Sequence, residues 1–184
     1  MTLTNKIELM APAGNFESLQ AGLDNGADSV YFGVEQLNMR ARATVNFTMD
    51  DLPEIAKRCE AKNVRSYLTL NTIIYDHDLS VVKTLLNKAK EANITAVIAS
   101  DQAVIAMARS IGMEVHISTQ LNVTNIETIK FYSLFADTMV LSRELSLRQV
   151  KKITEQIEKE QIKGPNGNLV EIEIFGHRSE EHTS

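Results

Sequence analysis

Segments with strand character alternate with helical patterns along most of the 184-residue chain, and this alternation constrains the fold more than any other feature. The predicted strands cover residues 6–10, 29–33, 65–74, 96–99, 113–122, 138–141 and 170–175. Helices are predicted between them, at 15–25, 49–62, 78–93 and 101–111, and starting near 124 and 146. Strands that alternate with helices form a parallel sheet with right-handed crossovers. We therefore expect an α/β fold.

Two parallel architectures fit this order of elements, the eight-stranded barrel and the doubly wound open sheet. The chain contains neither Gly-x-Gly-x-x-Gly nor a Gly-Lys-Ser/Thr phosphate loop, which argues against a nucleotide-binding open sheet. We predict a parallel (β/α) barrel of the TIM type. A complete barrel takes about 250 residues, so the predicted barrel is incomplete, with about seven strands and the eighth missing.

The composition is that of a soluble globular domain, with 43% apolar and 23% charged residues. A net charge of −5 argues against a broad nucleic-acid-binding surface. The single cysteine, Cys59, allows neither a disulfide within the chain nor a cysteine metal cluster, and we expect it to be an inert core residue. No apolar run is long enough to span a membrane and residues 1–6 lack a signal-peptide core, so we expect a cytoplasmic protein.

Local signals mark where helices begin. A capping side chain accepts hydrogen bonds from the free amides of the first helical turn. The predicted caps are Asn15, Thr48 and the capping boxes Thr124-x-x-Glu127 and Ser146-x-x-Gln149. Three pentads, at 26–30, 93–97 and 135–139, also resemble one another, and each closes a helix and opens a strand. This weak repetition supports a fold assembled from similar units.

A polar face on the fifth strand is the strongest candidate for a functional site. His116, Ser118 and Gln120 alternate with apolar residues, as in a strand with two different faces. In a barrel, alternate residues point inward and the chemistry gathers at the C-terminal strand ends. The same parity selects residues of other strands: Glu8, Tyr31, Asn71, Glu173, Phe175 and His177. On the sixth strand it stays open whether Arg143 or Glu144 faces inward.

Structural roles are the alternative for each of these residues. Glu8 and Glu173 are either site carboxylates or structural partners of an arginine or lysine. A strand histidine such as His116 is more often a hydrogen-bonded core residue than a catalyst. Ser118 is better suited to satisfying backbone groups than to nucleophilic attack, because no Gly-x-Ser-x-Gly elbow surrounds it. No His-Glu-x-x-His helix supplies zinc ligands.

Arg40 and Arg42 lie in a long loop after the second strand. Either they are solvated, or they clamp a carboxylate or phosphate group of the substrate. Their position after a strand end favours the clamp.

Several motifs fall in an order that resembles the collagenase-like (U32) peptidase family. They are residues 8–14 (ELMAPAG), 26–33, Arg40 with Asn46-Phe47, His116-x-Ser118-Thr119-Gln120, 143–146 (RELS) and 173–177 (EIFGH). No single motif carries the resemblance, which spans residues 8–177. It implies a barrel-type catalytic domain, in agreement with the parity argument.

The chain departs from the family pattern after His177. The family continues with Gly-Ala-Leu-Cys and a second nearby cysteine, whereas this chain has seven residues that match the translation of a sequencing adapter. We expect residues 1–177 to form a truncated (β/α) barrel domain and residues 178–184 to be a non-native tail.

The resemblance implies a peptidase that acts on a peptide or protein, with His116, Glu173 and His177 as catalytic candidates. His116 would be a general base or metal ligand, and Glu173 with His177 an acid/base or ligand pair. The substrate-binding candidates are Glu8, Tyr31, Arg40, Arg42, Asn71, Ser118, Gln120 and Arg143. No metal is predicted from the residues themselves.

The family also includes proteins that resemble iron–sulfur enzymes and hydroxylate RNA bases without oxygen. The alternative prediction is therefore a hydroxylase acting on structured RNA, tRNA or rRNA. Its cluster cysteines would lie beyond the end of this chain, since Cys59 by itself cannot hold a cluster. A third interpretation is that the chain is a fragment that is inactive by itself.

Overall fold

The computed structural model of the chain describes residues 7–35 and 47–176. The chain divides into two compact units, Met1–Glu114 and Val115–Ser184. Strands and helices alternate in the predicted order, and the strand pairs within each unit are parallel. The predicted α/β class with seven parallel strands is confirmed. None of the helices in the described ranges is both long and apolar enough to cross a membrane.

The first unit contains four strands in chain order, each followed by a helix. Its elements are β1 (Met10–Pro12), α1 (Phe16–Asp24), β2 (Ser29–Phe32), α2 (Leu52–Ala61), β3 (Arg65–Leu70), α3 (Leu79–Glu91), β4 (Ala96–Ala99) and α4 (Gln102–Ser110). Short 3-10 turns at Met49–Asp51 and Asp76–Asp78 precede α2 and α3. β1 pairs with β2, β2 with β3 and β3 with β4.

The two faces of this four-stranded sheet differ in what covers them. Gly22 of α1 lies so close to the sheet that an added Cβ would be 3.5 Å from Ala11 Cβ and 3.6 Å from Val30 Cγ1. Ala11 and Val30 therefore face α1. Because side chains alternate along a strand, Tyr31 faces the other way, and its register partner Tyr67 shares that face. Tyr67, Ala96 and Ile98 form a buried cluster there, against which Met10 and Tyr31 pack.

The second unit contains three strands and two helices. β5 (Glu114–Ile117) begins at the unit boundary and is followed by α5 (Ile126–Tyr132), β6 (Thr138–Val140), α6 (Leu147–Glu160) and β7 (Glu171–Glu173). β5 pairs with β6, and β6 with β7. His116 is in register with Thr138, which is in register with Glu171, and Val140 is in register with Glu173.

Three of the four predicted helix starts are close to those observed. Asn15 accepts a hydrogen bond from Ser18 N at 2.8 Å, Thr48 forms a box with Asp51 at the 3-10 turn before α2, and the box at Ser146 is present. The box predicted at Thr124 is wrong. Asn125 caps α5 instead, and its Oδ1 accepts a hydrogen bond from Thr128 N at 3.0 Å. The helix cap is therefore one residue later than predicted.

The three similar pentads, at 26–30, 93–97 and 135–139, each form the same kind of side-chain hydrogen bond in the structure. The third residue of each, just before a strand, accepts a hydrogen bond from the backbone of a neighbouring segment. These bonds are Leu9 N to Asp28 Oδ2 at 3.0 Å, Ser66 N to Thr95 Oγ1 at 3.2 Å and Asn166 N to Asp137 Oδ1 at 2.8 Å. Each bond ties the start of a strand to the chain beside it.

The largest differences from the predicted strand boundaries are at β1, β3 and β5, the last of which ends at Ile117 rather than at 122. β1 is Met10–Pro12 rather than 6–10, so Glu8 precedes the strand instead of lying on it. Hydrogen-bonding partners decide this boundary, since Met10 is the first residue of the segment in register with β2. β3 ends at Leu70 rather than at 74, because the chain then turns toward the 3-10 turn at Asp76–Asp78.

Candidate active site

His116 and Ser118 lie on one face of the second unit, as predicted from their alternation with apolar residues. Both are 2% exposed. His116 is on β5, and Ser118 is the first residue after the strand. Their neighbours Val115 and Ile117, on the opposite face, are fully buried.

The alternation stops at Ser118, so the prediction that Gln120 shares this face is wrong. Residues Thr119–Leu121 form a 3-10 turn, and Asn122 adopts a left-handed conformation with φ of 50°. Gln120 is exposed. The turn is closed by hydrogen bonds from Leu121 N to Ser118 O and from Asn122 N to Thr119 O, both 3.0 Å.

After the turn, the chain pairs again with the segment that contains β6. Val123 forms a parallel bridge with Leu141, and Ser142 N donates to Val123 O at 2.9 Å. Between the pairs Ile117–Met139 and Val123–Leu141, the β5 side has five residues and the β6 side has one. We call residues 118–122 the β5 excursion. It places polar side chains at the carboxyl end of a strand, where barrel enzymes hold their catalytic groups.

Glu173 lies on β7 on the same face of the sheet as His116. The register places Glu173 beside Val140, two residues beyond the row that contains His116, Thr138 and Glu171. With strands about 4.8 Å apart and a rise of about 3.3 Å per residue, the backbones of His116 and Glu173 are about 12 Å apart. This separation leaves room for a bound group between them. His177 lies outside the described residues.

A pocket of about 100 Å³ lies at the carboxyl ends of β6 and β7. Its lining residues are Leu141, Ser142, Arg143, Leu145, Leu147, Val150, Ile174 and Phe175. The Arg143 guanidinium lies 5.5 Å from the centroid of the Phe175 ring, a cation–π contact that orients it. Ser142 donates a hydrogen bond to the Glu144 carboxylate. The alternation of side chains left open whether Arg143 or Glu144 faces inward, and it is Arg143 that lines the pocket.

In the first unit, Tyr31 and Asn71 lie where the parity argument places them, on the strand face turned away from α1 and just after β3. Asn71 has the same parity as Tyr67, and its side chain is partly buried. Arg40 and Arg42 fall outside the described residues. The ends of their loop are joined, since Val34 forms a bridge with Phe47 and Glu35 N donates to Phe47 O at 2.8 Å.

Glu8 belongs to a charged cluster at the N-terminal end of β3, away from the carboxyl strand ends. Its carboxylate accepts from Tyr67 Oη at 2.6 Å and from Arg65 Nη1 at 3.1 Å. Arg65 Nη2 also donates to Glu114 Oε1 at 2.9 Å. In barrels this end contributes to stability rather than to catalysis. Glu8 is therefore better explained as a structural partner of Arg65 than as a carboxylate of the candidate site.

The cluster perturbs the ionisation of its members. Burial raises the pKa of Glu8, but hydrogen bonds from hydroxyl groups and the charge of Arg65 lower it by more, and the net pKa is below the ordinary value. Burial and the hydrogen bond to Glu8 hold the pKa of Tyr67 far above its usual range. Burial lowers the pKa of Arg65, but its anionic neighbours raise it by more. Arg65, Tyr67 and Glu114 were not among the predicted residues, because their contacts join distant parts of the sequence.

The residues of this chain do not suit an iron–sulfur cluster. Cys59 is 1% exposed within α2, and burial raises the pKa of its thiol to about 11, which disfavours the thiolate that a metal needs. Among the described residues, no group of three or more His, Cys, Asp or Glu side chains is placed to hold a metal ion.

Comparison with known proteins identifies the family. The model of peptidase family U32 matches residues 14–179. The chain belongs to peptidase family U32. This confirms the resemblance found in the sequence motifs.

Two curated relatives of this U32 chain have different names. A collagenase from Porphyromonas gingivalis is 53% identical over 173 residues, which is 94% of this chain and 42% of the relative. The tRNA hydroxylation protein P of Helicobacter pylori is 34% identical over 178 residues, which is 95% of this chain and 40% of the relative. The chain therefore spans about two fifths of the length of these relatives.

A solved structure agrees with the fold of the U32 chain. The U32 peptidase Mk0906 superposes with a TM-score of 0.67 at 13% identity, covering 84% of this chain and 67% of that one. The likeness supports the (β/α) barrel class.

Proposed function

We propose that the protein hydrolyses peptide bonds, with His116 as its general base. The observation that carries the proposal is that a buried histidine, His116 on β5, and a carboxylate, Glu173 on β7, share one face of the sheet at the carboxyl half of their strands, with β6 between them. The 53% identity to a protein named collagenase supports the reaction class.

The proposed roles follow from the chemistry of each side chain. His116 takes a proton from the attacking water, since an imidazole exchanges protons near neutral pH. Glu173, in its carboxylic acid form, donates a proton to the leaving amine with His177 as its partner, and it regains a proton from solvent as His116 releases the one taken from water. Arg143, oriented against Phe175, polarises the substrate carbonyl or binds a substrate carboxylate. Arg40 and Arg42 are proposed to clamp a substrate carboxylate, and Tyr31, Asn71 and Ser118 to contact the peptide.

Cleavage of a fluorogenic peptide and of gelatin by the full-length protein tests this proposal. His116→Ala should lower kcat/KM by about 100-fold or more, as expected for loss of a general base. Ser66→Ala is the matched control, because Ser66 is also a 2% exposed polar strand residue but lies on β3 and contacts Thr95. Equal cleavage by wild type and His116→Ala would remove His116 from the mechanism.

The second candidate function is oxygen-independent hydroxylation of tRNA or rRNA, supported by the 34% identity to a tRNA hydroxylation protein over nearly the whole chain. Any cluster would use cysteines outside this chain, since Cys59 does not suit one. Mass spectrometry of tRNA and rRNA nucleosides from a strain that lacks the gene tests it. A missing hydroxylated nucleoside, restored by the gene, would favour this function, and an unchanged nucleoside profile would exclude it.

We also propose that the 184-residue chain has no activity by itself. Peptide cleavage by the isolated chain would contradict this.

A further inference from the structure

Four residues other than glycine adopt the left-handed backbone conformation in the part of the chain that the structure describes. Three of them, Asn63, Asn93 and Gln161, have φ between 53° and 62° and lie one or two residues after an α-helix, where this conformation is common. Asn122, with φ of 50°, instead ends the 3-10 turn of the β5 excursion. It therefore lies at the carboxyl end of a strand, in the same unit as His116.

The backbone conformation does not by itself require asparagine at position 122. Glycine adopts the left-handed conformation without the steric cost of a Cβ, whereas asparagine only tolerates it. The Asn122 carboxamide is exposed and forms no hydrogen bond with any residue that the structure describes, whereas the carboxamide of Asn125 caps α5. The Asn122 side chain thus adds hydrogen-bonding groups to the β5 excursion without stabilising its turn.

Asn122 lies between the two parts of the candidate site. Before it, the β5 excursion follows directly on the strand that contains the buried His116. After it, Val123 O accepts a hydrogen bond from Ser142 N at 2.9 Å, and Ser142 lines the pocket together with Arg143. A peptide that extends from this pocket toward His116 would therefore pass the β5 excursion at Asn122.

The chemistry of a carboxamide matches that of a peptide group. Its oxygen accepts hydrogen bonds and its nitrogen donates two, so it complements both the N–H and the C=O of a peptide main chain. The group is uncharged and the chain has a net charge of −5, which gives no attraction to the phosphates of RNA.

We propose that Asn122 binds the main chain of the peptide substrate through its carboxamide. This rests on the proposed peptidase function and adds a substrate-binding residue at the same site. Because nearly every residue of a peptide carries a main-chain N–H and C=O, the contact does not depend on the side chains of the substrate.

Binding of two fluorescent peptides of unrelated sequence, measured by anisotropy, tests this inference apart from cleavage. The full-length protein carries His116→Ala in every sample, so that the peptides stay intact. Adding Asn122→Gly should raise the Kd of both peptides about three- to tenfold, as expected for the loss of one hydrogen bond. In the active protein, Asn122→Gly should raise KM by a similar factor and leave kcat nearly unchanged.

Asn93→Gly is the matched control. Asn93 is also exposed and has φ of 62°, but it precedes β4 and so lies at the N-terminal end of a strand. Asn93→Gly should bind both peptides like the parent protein. Urea unfolding should show a similar change in midpoint for the two glycine variants, because both substitutions relieve the same backbone strain.

Several results would overturn the inference. They are a Kd unchanged by Asn122→Gly, a loss with only one of the two peptides, an equal loss in Asn93→Gly, and a loss of tRNA binding without a loss of peptide binding. Peptide binding that depends on Asn122, without cleavage by the wild type, would support the role of Asn122 and refute the hydrolytic function. Cleavage with a KM that is indifferent to Asn122→Gly would do the reverse.

Discussion

Replacing Arg65 with methionine tests whether the cluster at the N-terminal end of β3 stabilises the fold. Arg65 contacts two carboxylates, Glu8 at 3.1 Å and Glu114 at 2.9 Å, and its guanidinium lies 5.2 Å from the centroid of the Tyr67 ring. Methionine keeps an unbranched apolar side chain but removes the charge. The substitution therefore removes the ion pairs and the cation–π contact while retaining most of the packing.

The expected loss follows from the exposure of each group. The side chains of Arg65 and Glu8 are 36% and 35% exposed and that of Glu114 is 21% exposed, so water screens both ion pairs. Each pair is then worth at most about 1 kcal/mol. The cation–π contact adds about 0.5 kcal/mol at this exposure. We expect Arg65→Met to lower the free energy of unfolding by about 2 kcal/mol at pH 7.

The loss should depend on pH in a defined direction. The folded pKa of Glu8 is lowered, with burial raising it and the hydroxyl hydrogen bonds and Arg65 lowering it by more. A carboxylate whose pKa is lowered by folding stabilises the protein above its unfolded pKa, and this stabilisation disappears as pH falls through the folded pKa. The difference between wild type and Arg65→Met should thus be complete at pH 7 and shrink below about pH 4.

Urea unfolding followed by circular dichroism at pH 7 and at lower pH measures the effect. Arg58→Met is the matched control, since Arg58 is 37% exposed, pairs with the single carboxylate of Glu54 at 2.8 Å and lies 4.7 Å from the Phe16 ring centroid. It should destabilise the protein less than Arg65→Met does, because it removes one ion pair instead of two. Two results would refute the reasoning. One is a loss in the free energy of unfolding for Arg65→Met that is no larger than the loss for Arg58→Met. The other is an equal loss for Arg65→Met at about pH 3.5 and at pH 7, a range over which carboxylates titrate.

Two further predictions concern packing and thiol chemistry. Gly164→Ala should destabilise the protein by about 2 kcal/mol, because the new Cβ would lie 2.6 Å from Asp137 Oδ1 and 2.8 Å from Asp137 Cα, whereas Gly14→Ala meets nothing within 4 Å and serves as its control. Equal urea midpoints for the two variants would contradict this. Cys59 is buried and its thiol has a pKa of about 11, so a thiol reagent should label it only on unfolding. Rapid labelling of the native protein would show that the thiol is accessible.

The order of the elements could be predicted because burial imposes a period on each segment. The fourth strand is the clearest case, since four apolar residues at 96–99 are bounded by polar residues, and β4 is Ala96–Ala99. The first strand is predicted too early, because a segment can alternate like a strand without being buried or paired. Ile7 and Leu9 have the period of a strand, yet they are 90% and 61% exposed, because β1 begins where its partner in β2 begins. The hydrophobic period of a segment does not show where its partner strand begins.

The candidate site was predicted in part. The shared face of His116 and Ser118 follows from period two, and the turn that removes Gln120 has no glycine or proline to announce it. Asn122 was the available signal, because asparagine tolerates the left-handed conformation that ends the turn. The partnership of Arg65 with Glu8 and Glu114 joins residues 57 and 49 positions apart, which no local pattern encodes.

The β5 excursion has a consequence for how this part of the chain can vary. The strand pair is held on both sides of it, by Ile117 with Met139 before and by Val123 with Leu141 after. Residues can therefore be inserted, deleted or exchanged between these two anchor points at a small entropic cost, while the register of β5 and β6 is preserved. Loop grafting between 118 and 122 can therefore exchange this segment without a redesign of the scaffold.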